Sequence, residues 1–360
     1  MRVKEIEFSV AFQTDKPLSA YGPLAERSEQ LGFDAVSVYN DLFFQPAWLP
    51  LLEMARQTHR VRLGPAAVNP FTCHPASIAG QIALIDEASK GRAYLGLARG
   101  SWLDRLGLSP SRPARALQEA IQCVRHLLAG QREPYSGEVF PLASGETLRW
   151  KLFRPRIPIL LGSWGPKTIR ACLPLVEEIK LGGTANPAAV ERIRSLIDKS
   201  FPKEVVSGVR LVVGAVTVVD QDRERARRLA RREAVLYLPV VAGLDPTLGV
   251  DSDWTARMEE ALRQGDLDSA SGLIPDALLD QIALAGSPSE IIDRCLQLVE
   301  AGAGRVEFGT PHGLSEEEGL RLLGERVLPA LGGLVAPISH PSGARRKKRQ
   351  NRKIGSPGSQ

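Results

Sequence analysis

The chain is 360 residues long, 43% hydrophobic and 6% aromatic, an ordinary composition for a globular protein with room for a sizeable core. No run approaches the roughly 18 apolar residues of a membrane span, and the charged start MRVKEIEF lacks the apolar segment of a signal peptide, so a cytoplasmic, non-membrane protein is expected. The formal charge of +5 is concentrated in a tail: seven cations fall between Arg345 and Lys353, and without them the rest carries −2. The near-neutral remainder argues against nucleic acid as a partner.

In chain order, strands are predicted at Ile6–Phe12, Ala35–Tyr39, Val61–Val68, Ala93–Ala98, Ile157–Leu161, Glu178–Leu181, Val209–Val218 and Arg305–Phe308. Helical patterns fill the gaps at Leu18–Leu31, Ala47–Gln57, Pro75–Ser89, Pro113–Leu128, Pro166–Leu175, Pro187–Lys199, Asp222–Val241 and Pro288–Ala301, with a last one at Ser315–Leu331. Eight strands alternating with helices imply a parallel sheet, and the length favours a closed (β/α)₈ TIM barrel at residues 1–338. Two stretches exceed a minimal barrel: 131–156, read as a hairpin, and 244–286, read as a polar helical excursion; insertions of this kind shape a substrate pocket. The Ser-, Gly-, Pro- and Arg-rich tail at 339–360 cannot bury enough apolar surface to fold and is expected to be disordered.

Cys73, Cys123, Cys172 and Cys295 are scattered and the five histidines dispersed, so neither disulfides nor a metal site is predicted. The densest signal lies at 158–187, PILLGSWGPKTIRACLPLVEEIKLGGTANP. Here two short strands each run into a small-residue loop and then a helix opened by proline, Pro166 and Pro187. Free amides and the dipole at such helix starts favour an anion, so these units suit the phosphate of a cofactor; tight βα turns alone would also explain the glycines.

In a barrel of this kind chemistry gathers at the C-terminal ends of the strands. Those ends carry Gln13-Thr14-Asp15, Asn40-Asp41, Asn69, Thr72 and His74, Arg99-Gly100-Ser101, Ser163-Trp164, Gly182-Gly183-Thr184 and Gly309-Thr310-His312, with no lysine among them except Lys167 at a helix start. The set lacks a protein nucleophile, which suggests that a cofactor carries the reaction. Asp41, Asn40 and His74 are the candidate catalytic residues. Asp41 is favoured because burial tunes a strand-end carboxylate beside a ring; a loop or cap role is the alternative.

The runs LGFDAVSVYNDLF, VRLGPAAVNPFTCHPASIAGQIALIDEASKGRAYLGLARGSW and GQREPYSGEVF, with GSP at 286–288 opening a helix that ends in EAG, resemble the bacterial luciferase-like (β/α)₈ oxidoreductases. The GPKT and KLGGTANP segments resemble the branch that uses the deazaflavin coenzyme F420, especially sequences similar to methylenetetrahydromethanopterin reductase. That resemblance implies hydride transfer at the deazaflavin C5 to or from a small organic substrate, and a homodimer. It places a non-prolyl cis peptide between Ala66 and Ala67 against the central ring. It places the phosphate end at Ser163, Gly165, Gly182, Gly183 and Thr184, and the ring's surroundings at Asn40, Asp41, Asn69, Thr72 and Gly100. An FMN-dependent monooxygenase on the same fold is one alternative, and a non-catalytic protein with a nucleic-acid-contacting tail is another. The chain departs from the family by Asn40-Asp41 in place of Asp-His, and by Ala11 where the methanopterin reductases place a carboxylate in strand one.

Overall fold

The computed structural model describes residues 6–334. The tail expected at 339–360 lies outside them. Among the described residues nine strands form, all paired in parallel: β1 Glu7–Phe12, β2 Ala35–Val38, β3 Arg62–Pro65, β4 Leu95–Ala98, β5 Ile159–Gly162, β6 Glu178–Gly182, β7 Arg210–Val219, β8 Ala283–Gly286 and β9 Arg305–His312. Their order is β3-β2-β1-β9-β7-β6-β5-β4, and bridges Leu63–Ala93 and Val68–Leu97 join the two ends into a barrel. The eight predicted strands are the eight of this ring.

The ninth was missed. β8 lies inside the stretch read as a helical excursion and pairs only with the overhang of β7, Val216–Val219. Its four residues, Ala-Leu-Ala-Gly, continue without a break from the apolar pattern of the helix Asp276–Ile282, so nothing local marks the change. The hairpin expected at 131–156 reduces to one antiparallel bridge, Tyr135–Leu142. The helix predicted over Asp222–Val241 breaks into Arg223–Ala234 and Leu238–Ala242, because Pro239 lacks the N–H that would bond the Val235 carbonyl four residues earlier and its ring crowds that carbonyl.

Helices cover the barrel's outside, and their amphipathic faces pack on one continuous apolar core that includes Val36, Ile78, Leu97, Ile121, Ile193 and Leu298. The barrel interior is different. Residues two apart on a strand share a face, and here the inward faces carry charge: Glu178 and Lys180 on β6, Arg305 and Glu307 on β9, all buried. At the bottom, Arg305 and Arg62 each approach Glu178 at 2.9 Å, while Arg210 pairs with Glu7 at 2.5 Å. Above it, Glu307 accepts from Lys180 and Ser37, and Ser37 meets the Tyr94 hydroxyl at 2.6 Å. Mutual neutralisation is what permits so many charges inside.

Candidate active site

Above these charged layers, at the C-terminal ends of the strands, opens a cavity of about 1450 Å³. Its floor is made of small residues, Ala66, Ala67, Ala98, Gly162, Gly182 and Gly214. The Ala66–Ala67 peptide is cis, where the resemblance places it. A side chain built at Gly182 would meet nothing within 4 Å and would project into this space. A shelf without side chains is the shape a flat ring system needs, and a Cβ at Gly182 would fill part of it.

Lys180 stands on the same face of β6, two residues earlier, and lines the cavity. Its ammonium is held by Glu307 and lies 5.3 Å from the centre of the Tyr39 ring. Burial works against the ionised Glu307, but Lys180 and then Arg305 hold its carboxyl below the usual carboxylate range. Lys180 lies within the strand rather than in the loop at its end, so it is absent from the strand-end residues given above.

On the β1 and β2 side, Gln13 Nε2 donates to Asp41 Oδ2 at 2.9 Å, and Gln13 Oε1 accepts from Thr14 N–H at 2.8 Å. The second bond sets the amide's orientation, leaving its NH₂ for the carboxylate. Burial pushes the Asp41 carboxyl up; Gln13 and Lys180 pull it back in part. Asn40 also lines the cavity, with its Oδ1 accepting from Ala47 N–H at 3.0 Å. Asn69 Oδ1 accepts from Phe71 and Thr72 N–H at 3.1 and 2.9 Å, which directs its amide nitrogen toward Gly100.

On the β5 and β6 side, the loops at Ser163–Gly165 and Gly182–Thr184 are clamped together by Trp164, whose indole donates to Gly182 O at 3.2 Å. Ser163 Oγ accepts from Gly165 N–H at 3.2 Å, and the helix Pro166–Cys172 begins with no side-chain cap. Ser163, Gly165, Gly182 and Gly183 line the cavity.

Three of the predicted site residues stand elsewhere. Thr184 is fully buried: its N–H donates to Gly214 O at 3.1 Å and its hydroxyl to Gln281 O at 3.3 Å. Thr72 turns its hydroxyl to Asn69 Oδ1 at 3.0 Å, outside the cavity lining. His74 caps the helix Pro75–Ala88 through Nδ1, accepting from Ala76 N–H at 3.1 Å, exposed and edge-on to Phe140. It is a helix cap, the structural role common for such residues.

Other residues entered the cavity unannounced by local motif. The broken helix brings Glu233 and Tyr237, and the segment after β9 brings Glu316. Trp102 and Tyr237 meet across the mouth with ring centroids 6.1 Å apart, and Arg105 covers Trp102 at 5.4 Å. Burial raises the Tyr237 phenol to about 12, with Asp41, Glu233 and Asp15 adding to the effect.

The luciferase-like monooxygenase family model matches residues 6–305. The chain is 30% identical to the 5,10-methylenetetrahydromethanopterin reductase of Archaeoglobus fulgidus, over 91% of this chain and 100% of that protein. It is 26% identical to the F420-dependent glucose-6-phosphate dehydrogenase of Microbacterium testaceum, over 86% of this chain and 92% of the relative. The fold matches the coenzyme F420 dependent tetrahydromethanopterin reductase structure from Methanopyrus kandleri with a TM-score of 0.82 at 24% identity, covering 91% of this chain and 99% of that one. The barrel, its small-residue shelf and these likenesses agree: the chain belongs to the luciferase-like monooxygenase family.

Proposed function

We propose that this protein is a coenzyme F420-dependent oxidoreductase that moves a hydride between the deazaflavin and a small organic substrate. The observation that carries the reading is the shelf at the cavity floor, with Gly182 open toward the space a planar ring needs. The kinship with F420-dependent relatives supports the choice of deazaflavin over flavin.

When bound, the deazaflavin supplies the hydride-carrying carbon, which the protein's own side chains lack. In this reading, Ser163, Gly165 and Gly183 hold its phosphate end, Gly182 lies where that end meets the ring, and Ala66, Ala67, Asn69 and Gly100 border the ring. Lys180 places a positive charge in the floor, kept there by Glu307. Asp41, oriented by Gln13 and raised toward neutrality by burial, is positioned to hold a proton or anchor the substrate. Asn40 stays beside it as the bordering polar group, fixed to Ala47. Trp102 and Tyr237 close the mouth and restrict water.

Titrating the purified protein with F420 and, separately, with FMN while following cofactor fluorescence tests this. Micromolar binding of F420 and not FMN is expected. Preference for FMN moves the protein to the oxygen-using monooxygenases, and binding of neither removes the enzymatic reading.

A further inference from the structure

We infer that the substrate half of the cavity selects an uncharged or cationic molecule that presents N–H or O–H donors, and turns away phosphorylated and carboxylated ones. The inference rests on the deazaflavin reading, which gives the β5 and β6 side to the cofactor and leaves the β1, β2 and β9 side to the substrate.

That side is lined by Asp15, Asp41, Glu233 and Glu316, and among the described residues lining it Lys16 is the single cation. Four carboxylates against one ammonium give a formal −3 when all are ionised; burial raises the Asp41, Glu233 and Glu316 carboxyls, and with a proton on Asp41 the wall still carries −2. Lys16 is not available to a ligand's anion: Asp15 holds it at 2.9 Å and Glu316 at 3.1 Å. Asp41 is met by a neutral donor, the Gln13 amide, and no ion pair satisfies it among the described residues. Asp41, Glu233 and Asp15 each add to the rise of the Tyr237 phenol.

The cavity's other cations are spent or distant. Lys180 is neutralised by Glu307 within the floor, and Arg99 lies at the end of β4, on the cofactor's flank. These carboxylates do not form a separate site; they are one wall of the cavity already described. The segment that carries Glu233 and Tyr237 also lines the cavity with hydrocarbon, through Leu229, Val240, Val241 and Leu244. A phosphate or carboxylate brought here would lose water and meet charges of its own sign with no partner. A molecule with an apolar body and a donor group would find acceptors and hydrocarbon side by side here. Relatives include enzymes named for glucose 6-phosphate, a phosphorylated sugar that this wall would turn away.

The test uses the full-length protein loaded with F420 and three collisional quenchers of the cofactor's fluorescence: thallium(I), acrylamide and iodide. Each quenching constant is divided by that of free F420, which removes the cofactor's own charge. Thallium is expected to retain at least about fivefold more of its quenching than iodide, with acrylamide between them and the gap closing in high salt. In the Glu233→Gln/Glu316→Gln variant, iodide quenching is expected to rise about threefold. Iodide quenching equal to that of thallium in the wild type overturns the inference, as does submillimolar KM for a phosphorylated or carboxylated substrate. Failure of F420 to bind, seen before any quencher is added, removes the cofactor reading and this one with it; parity of the quenchers removes this one alone.

Discussion

Lys180 on β6 and Glu307 on β9 form a buried ion pair directly beneath the cavity floor, although 127 positions separate them in the chain. Glu307 also accepts from Ser37, which in turn shares a hydrogen bond with Tyr94, so groups from β6 and β2 meet on one carboxylate of β9 and Tyr94, just before β4, joins them through Ser37.

Breaking this pair from one side leaves a buried charge without its partner. Lys180→Met or Glu307→Gln alone is expected to cost about 3–5 kcal/mol in chemical denaturation, and the double variant appreciably less than the two added together. Additive losses would show that the two groups do not depend on each other.

Gly182 and Gly183 are neighbours with opposite expectations. A Leu at 182 meets no protein atom within 4 Å of its Cβ, so Gly182→Leu should melt like the wild type yet bind F420 at least about tenfold more weakly, roughly 1.4 kcal/mol. At 183 the backbone φ is +78° and a Cβ would lie 2.6 Å from Val241 Cγ2, so Gly183→Val should lose about 1–3 kcal/mol of stability. Calorimetry and fluorescence titration separate the two; unchanged affinity in Gly182→Leu would falsify the placement of the cofactor on this shelf.

Asp41 is expected to matter for chemistry more than for cofactor retention. Asp41→Asn keeps the shape and a contact to Gln13 but cannot carry the proton, so turnover should fall about 100-fold while F420 affinity changes by less than about twofold. Equal losses in both would make Asp41 a part of the cofactor's cradle.

His312 provides a pH test of the fold. It is fully buried, edge-on to Phe12, and its Nε2–H donates to Ala11 O at 3.0 Å. Burial holds its imidazole neutral, lowering the pKa from 6.5 to about 3. Above pH 6.5 neither state is protonated and there is no cost. Below it the unfolded chain takes up a proton that the folded one refuses, so stability is lost as pH falls from 6.5 toward about 3. By pH 4 this amounts to roughly 3 kcal/mol. Denaturation of wild type and His312→Gln across pH 7 to 4 should show that much less acid sensitivity in the variant. Parallel pH curves would mean that His312 does not titrate as argued.

Much of the architecture was legible because it is written locally. The βα units announce themselves by a short apolar run, a turn of small or polar residues and a proline or polar helix start, as in Leu161-Gly162-Ser163 before Pro166. Asp41, Asn69 and Ser163 were found because they sit where a strand ends. Glu233, Tyr237 and Glu316 were not, since they belong to helices and loops whose own patterns give no reason to point inward. Lys180 and Glu307 did leave a trace: Glu-Ile-Lys-Leu-Gly and Arg-Val-Glu-Phe-Gly alternate charge with hydrocarbon, which in a strand covered outside by helices marks the inner face as polar. A search confined to strand ends does not see it.

The alternation of strands and helices, the parallel closure they imply and the glycine turns depend on residues a few positions apart, so they can be read along the chain. Which distant groups meet is a matter of the folded barrel: Gln13 with Asp41, Lys180 with Glu307, Trp102 with Tyr237. The register and curvature of a closed barrel bring those partners within bonding distance, and no spacing along the chain encodes that curvature.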